Sequence, residues 1–467
     1  MSTSTKAKSL KTNFTNGPMF FKIFAFVVPI ILTGILQSSY HIADDIVVGQ
    51  LSGDDFAIAA IGSTTSITSF IINFLLGLSA GTGFVVARSY GAVDEKTLSD
   101  AVHTSVSFSA LGGVALMIFT LLVSEPALTI MGTKPELMAK ALTYMRIICC
   151  GIPASVIYNF ASTVLRSVGD SRSPLVIVSL SGLLNVILNI VFVLSFDMSV
   201  EAVALATIAS QYASAVAVLT ILARRRNEPY VLRLRNLRVH GGTLKRILQI
   251  GIPSSIQSSM FSITSVLFSS SANQFTAIDI SAKTIVDKSA SIINTSVSSY
   301  NHAAMTATAQ NFGAKKLDRV KTAVACCVLQ VTIIGILMAG IMLFFDTQII
   351  GMFISQDNAS FSEIVARAES ILRVMITFYF VGGIMNSFSG SIRGLGYSFV
   401  SMMLSICCVC ALRILWIYTI FMLEPFHSIE GLYAAYPVTW AITAVADLVA
   451  LVFILRHIAK RIANEQQ

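Results

Sequence analysis

One carboxylate in this sequence stands where a carboxylate is costly. Asp44 closes the segment SSYHIAD, at the end of an apolar run that begins near residue 22. Beside so much apolar surface an acidic group must be hydrated, paired or protonated, which makes it a functional candidate. A carboxylate that trades hydration for burial can take up and release a proton. His41 lies three residues earlier, on the same helical face. A His–carboxylate pair can relay protons, although a packed, hydrogen-bonded histidine is the simpler reading. Asp45 is one residue on and faces elsewhere.

Other polar groups interrupt apolar runs. Gln37, Asn73, Asn159, Asn185 and Asn189 are amides, and Asn185 and Asn189 share a helical face. Amides in such places coordinate an ion or a substrate, or hydrogen-bond neighbouring helices at roughly 0.6–2 kcal/mol each. Tyr40 joins Gln37, Asn159, Asn185 and Asn189 as a candidate binding residue. Asp447 and Arg413 are lone charges in apolar runs, expected either in a cavity or paired with each other as a structural tie. Lys283 and Asp287, four apart, are expected to form an exposed pair. The six histidines are scattered and the seven cysteines lie in apolar runs without metal spacing. No metal or cofactor is expected. No Gly-x-x-x-x-Gly-Lys-Ser/Thr loop occurs, which excludes one route to ATP chemistry.

The elements that position these residues follow from composition. Of 467 residues 55% are hydrophobic and 12% charged, about half the charged fraction of a soluble domain. The apolar residues fall in blocks close to the ~20 that span a bilayer as a helix, with no period-2 barrel pattern. Reading blocks bounded by charge, Gly or Pro predicts twelve spans, the third over 102–123 and the eighth over 286–309. The polar start of the eighth, KTIVDKSASIINTSVSSYNHAA, suits a cavity lining. The net charge of +8 does not point to nucleic acid. With both termini inside, 24 of the 32 Lys and Arg fall in inner segments and seven in outer ones, the bias of cytoplasmic loops. The first nineteen residues are polar and lead into a span too long for a signal core, so no cleaved signal is expected.

The longest inner segment, Arg224–Arg246, divides the chain into six-helix halves at 1–223 and 247–467. Its basic charge also suits anionic lipid. An internal repeat supports the division. ARSYGAVDEKTLSDAV from Ala87 matches AQNFGAKKLDRVKTAV from Ala309 at an offset of 222. RSVGDSRSP from Arg166 matches RGLGYSFVS from Arg393 at 227, and Pro29 matches Pro253 at 224. Six spans per half make this a parallel repeat, of the kind that binds substrate between halves and rocks them.

At these residues the chain resembles the multidrug and toxic compound extrusion (MATE) family over nearly its whole length. The resemblance rests on Pro29, SYHIADDIVVGQLSG from Ser39, the YGA and FGA turns, GIPASVIYNFASTVLRSVGDSRSP from Gly151, GIPSSIQ from Gly251 and SIRGLGYS from Ser391. It is strongest to the branch named for the DNA-damage-inducible protein F, whose motif aspartate corresponds to Asp44. The resemblance implies an all-α fold of twelve transmembrane helices in two similar lobes, a V-shaped alternating-access transporter. It also implies export of organic, often cationic compounds against inward flow of protons or sodium ions. That branch carries Asn and Asp four apart in helix 5, where this chain has Asn185 and Asn189. The glutamate of the other bacterial branch aligns with Phe261, and FYFVGGIMNSFSGSIRG has no acid.

The expectation is a secondary active exporter, not an enzyme, of small organic molecules in the cell membrane. It is expected to be monomeric, among membrane lipids, with cytoplasmic termini. The rival readings are a lipid-linked oligosaccharide flippase, whose cavity needs basic side chains scarce in helices 1, 2, 7 and 8, and a transport-inactive sensor of the same fold. A membrane-embedded enzyme would need a clustered His/Asp, Ser/His or metal constellation, which the scattered histidines do not offer.

Overall fold

Inside a bilayer no water satisfies the backbone, so each N–H and C=O must be paired within its own segment. The computed structural model describes residues 12–51, 57–196, 199–351 and 360–465, and among them it is all helix and turn. Twelve long helical passes follow in order: α1 (Met19–Leu51), α2 (Ala57–Gly91), α3 (Glu95–Ile130), α4 (Pro135–Ser167), α5 (Arg172–Phe196), α6 (Val200–Arg224), α7 (Gly241–Ala272), α8 (Ala277–Gly313), α9 (Leu317–Phe344), α10 (Phe361–Gly394), α11 (Ser398–Met422) and α12 (Ile429–Asn464). Ten of these are long and apolar enough to cross a membrane. The other two, α7 and α8, are long but more polar.

Several helices outrun the apolar blocks that betray them. The expected 102–123 is the middle of α3, and the expected 286–309 is the middle of α8. Block reading sees only the hydrocarbon depth, whereas a capped helix runs on into polar flanks. At the start of α8 the Asp279 amide donates to Thr276 Oγ1 at 3.2 Å, and the Thr276 amide donates back to Asp279 Oδ2 at 3.3 Å. This reciprocal cap satisfies donors that a helix start leaves free.

The chain forms two compact units. One is built on Val28–Ser255, the other on Phe14–Val27 and Ile256–Gln467. Hydrogen bonds account for where the first segment of α1 belongs. The Phe14 amide donates to Gln310 Oε1 at 3.1 Å, Gln330 donates to the Phe20 carbonyl at 2.6 Å, and Arg319 donates to the Phe14 carbonyl at 2.9 Å. The segment 224–246 docks on α3. The Arg233 amide donates to His103 Nε2 at 3.1 Å and the His240 amide to Thr104 Oγ1 at 3.1 Å.

Within each unit, small residues let helices touch backbone to backbone, the usual substitute in lipid for hydrophobic driving force. In the first, Gly77 and Gly81 form a Gly-x-x-x-Gly stripe of α2 against the first half of α7. A Cβ on Gly81 would lie 2.0 Å from the Ile247 carbonyl oxygen. In the second, Gly390 and Gly394 press α10 on α8, where Cβ atoms would meet the Asn301 and Met305 carbonyls at 2.4 and 2.6 Å.

The repeat is visible in the backbone. Val93 (φ 57°) and Lys315 (φ 58°) close the turns after α2 and α8, 222 residues apart. Gly169 (φ 88°) and Gly396 (φ 94°) close those after α4 and α10, 227 apart. Gly169 also accepts the Thr12 amide at 3.0 Å, so tightly that a Cβ would sit 2.1 Å from the Thr12 carbonyl oxygen. Beside it Asp170, fully buried, accepts the Ser173 amide at 3.0 Å and the Arg225 guanidinium at 2.6 Å. Left-handed backbone costs a side-chain-bearing residue about 1–2 kcal/mol. Gly169→Ala is therefore expected to lower the melting temperature of the purified protein clearly more than Gly62→Ala, whose Cβ would meet nothing; paired thermal melts check this.

Candidate functional site

Asp44 lies fifteen residues beyond Pro29 on α1 and is only 9% exposed. Three residues on, Val47 joins Val193 of α5 and Ala202 of α6 in a small apolar cluster. Asn189 of α5, fully buried, donates from Nδ2 to Asp44 Oδ1 at 2.5 Å. One helical turn back on α5, Asn185 is 6% exposed and donates to Thr207 Oγ1 of α6 at 3.5 Å. The amide oxygens of Asn185 and Asn189 accept no hydrogen bond.

Tyr40 explains how α1 is held against α5. Its hydroxyl donates to the Ser179 carbonyl at 3.2 Å, and its ring covers Gly182, where a Cβ would fall 1.8 Å from a ring carbon. Tyr40 and Asp44 are four apart on α1, so both meet the face of α5 that carries Ser179, Gly182 and Asn189. A glycine opposite a tyrosine thus fixes the approach of the two helices, and the approach delivers the amide to the carboxylate.

The chemistry follows from the amide's two ends. Asn189 presents N–H to an ionised carboxylate, and the same group rotated presents C=O to a protonated one. The pair can therefore remain hydrogen-bonded in both protonation states, at much lower cost than an unpaired buried charge.

The structure joins Asp44, Asn189 and Tyr40, with Asn185 on the same face of α5. It does not bring Gln37 or Asn159 to them. Gln37 is exposed, and Asn159 donates to the carbonyl of Ser155 in its own helix at 2.9 Å. Asn73 is half-buried on α2. The side chains of His41 and Asp45 lie outside the described residues.

The second unit holds a cluster that sequence reading missed. On α12, Tyr433 stacks on Tyr436 at 5.8 Å between centroids, and Trp440 meets Tyr436 at 5.5 Å and Tyr379 of α10 at 5.0 Å. The guanidinium of Arg413 on α11 sits 4.0 Å from the Tyr436 ring centroid, a cation–π contact. The Tyr433 hydroxyl donates to Asp287 at 2.7 Å, and Asp287 also pairs with Lys283 at 2.7 Å. The signal was the spacing: aromatics at 433, 436 and 440 fall on one helical face. The expected tie between Arg413 and Asp447 is not formed. Arg413 donates to Thr439 Oγ1 at 3.2 Å instead, because Tyr436 and Thr439 occupy the turns of α12 nearest it. Among the described residues no three His, Cys, Asp or Glu side chains gather as a metal site.

Comparison with known proteins agrees with this arrangement. The family model MatE matches residues 29–191 and 253–419, the greater part of both repeats. The chain is 26% identical over 427 residues to the probable multidrug resistance protein YoeA of Bacillus subtilis, covering 90% of each. It is 23% identical over 389 residues to the multidrug export protein MepA of Staphylococcus aureus, covering 82% of this chain and 83% of that one. A solved outward-facing multidrug resistance MATE family transporter of the MOP superfamily superposes with a TM-score of 0.87 at 21% identity, over 96% of this chain and 99% of that one. With its twelve helical passes, backbone repeat and family match through both halves, the chain belongs to the MatE family, the multidrug and toxic compound extrusion transporters, which are multi-pass membrane transporters and not enzymes.

Proposed function

We propose that this protein exports small organic compounds, cationic or amphiphilic, from the cell in exchange for protons, with Asp44 as the group that takes up the proton. The observation that carries this reading is the buried Asp44 carboxylate held by Asn189. Proton uptake at Asp44 removes the charge that Asn189 is oriented to serve. The contact between α1 and α5 then re-forms in its neutral arrangement, and export is tied to that change by alternating access. A sodium ion is the second reading, since the buried amide oxygens of Asn185 and Asn189 accept no hydrogen bond and suit a cation. The multidrug names of the relatives support the substrate class. The charge bias of the inner loops supports insertion in the plasma or inner membrane with both termini in the cytoplasm. The protein acts as a monomer among membrane lipids in this reading.

Export of a cationic dye from an efflux-deficient bacterium tests it. Wild type is expected to export the dye, to lose export when the proton gradient is collapsed, and to keep it when sodium is withdrawn. Asp44→Asn is expected to fall to background at equal membrane abundance. Gradient-independent export would overturn proton coupling. Absence of efflux across a broad dye panel by well-expressed wild type would overturn drug export and favour an endogenous substrate such as a lipid-linked oligosaccharide.

Asn189→Leu keeps the bulk and removes the donor. A hydrogen bond to a charged group contributes about 1.5–3 kcal/mol, so the variant is expected to lose roughly 10- to 100-fold in export rate. Asn159→Leu, away from the pair, is expected to stay within twofold of wild type. Initial efflux rates normalised to protein in the membrane check both.

A further inference from the structure

A second buried carboxylate takes no part in the export reading above. Asp447 lies mid-way along α12, fully buried, and neither carboxylate oxygen has a hydrogen-bond partner. From α10 comes Arg393, on a helix that packs against α12 through Phe388, Ile392 and Leu395 with Leu451 and Ile454. From α11 comes Cys408, while Arg413 is turned to Tyr436 and Thr439. At the start of α11 the hydroxyls are already engaged: Ser401 bonds Ser389 of α10 at 2.7 Å and Ser405 accepts from Gln257 of α7 at 2.6 Å.

Arg393 is the informative neighbour. It is 9% exposed and sits inside the Gly390–Gly394 stripe where α10 meets α8. It donates to Asn301 Oδ1 of α8 at 2.5 Å, and Asn301 in turn donates to the Asn386 carbonyl of α10 at 3.0 Å. Its Nε has no partner. Thus a buried cation with a spare donor and a buried acid with two spare acceptors stand on two helices packed together, yet form no ion pair. An ionised carboxylate without a hydrogen bond would carry its whole desolvation cost, and closing on Arg393 would relieve it. Arg393 turned to Asn301 is the arrangement expected when Asp447 carries a proton and is neutral.

The surrounding backbone has slack for such a change. Ile406–Ala411 of α11, which includes Cys408, is a π-helical turn, a rare widening that tends to occur at functional sites. The acid is also no relic of the repeat. Offsets of 222–227 place the equivalent stretch at residues 220–225 of the first half, TILARR, which holds no acid.

We infer that Asp447 is a proton-binding site of the second unit, with Arg393 as a counter-charge that moves between two partners. With the acid protonated, Arg393 bonds Asn301 of α8. When the acid's O–H bond breaks and the proton leaves to water, the carboxylate accepts N–H bonds from Arg393, which leaves Asn301. The step needs no co-reactant beyond water. It rests on the reading of this chain as membrane-embedded, and its test does not depend on export.

Infrared difference spectra of the purified protein in lipid, taken across a pH series, read protonated carboxyl groups directly by their carbonyl stretch. Wild type and Asp44→Asn are both expected to show a band that disappears in Asp447→Asn and returns, displaced, in Asp447→Glu. Arg393→Gln, which removes the counter-charge, is expected to keep the band to at least tenfold lower proton concentration. A protonated-carboxyl spectrum unchanged by Asp447→Asn at every pH overturns the proposal. So does an Arg393→Gln spectrum that titrates as wild type does. Because the spectra involve no transport, loss of the export reading leaves this result standing, and loss of this band leaves the export reading standing.

Discussion

A carboxylate in a lipid-embedded helix has few stable states, and the first unit is arranged around that restriction at Asp44. The acid is only 9% exposed, so it must be paired or protonated. Asn189 supplies a partner that serves either state. A lysine or arginine there would hold the acid ionised, and an alkyl side chain would hold it neutral. An amide leaves both within reach, which is what a group that cycles its proton requires. The resemblance to the branch with a second acid in helix 5 implies two carboxylates; this chain has one carboxylate and an amide.

That pairing depends on how closely α1 can approach α5, and the approach depends on a missing side chain. Gly182 accommodates the Tyr40 ring, and Tyr40 anchors on the Ser179 carbonyl. The same device recurs through the molecule. Gly77 and Gly81 admit α7 to α2, and Gly390 and Gly394 admit α10 to α8. Polar side chains then act where the backbones meet. Arg393 reaches Asn301 because the two helices touch there. Small residues thus set the distances, and hydrogen bonds between helices set the register.

Much of this was legible in the sequence, for physical reasons. Hydrocarbon thickness imposes block length, so the twelve passes and the two similar halves could be read from apolar blocks and from the repeated turns. Asp44 could be singled out because an acid is rare in such a place, and Asn185 and Asn189 because amides four apart share a face. Other features were hidden. Helix ends at Glu95 and Ala277 lie in polar flanks, where block reading loses the signal. Gln37 and Asn159 have the same chemistry as Asn189, and only tertiary packing shows that Asn189, not they, bonds Asp44. Arg413 and Asp447 are the two stray charges of the last two helices, and charge alone suggests pairing them. Arg413 meets Tyr436 and Thr439 instead, which follows from which helical faces meet.

The central claim is that export exchanges substrate for a proton carried by Asp44. The most direct test is to add a cationic substrate to the purified protein in weakly buffered solution and measure the protons released. The account predicts release by wild type that rises with bound substrate, and a release smaller by a whole proton per transporter in Asp44→Asn at matched substrate occupancy. Equal release by the two proteins, with equal binding, would contradict it and remove Asp44 from the coupling step.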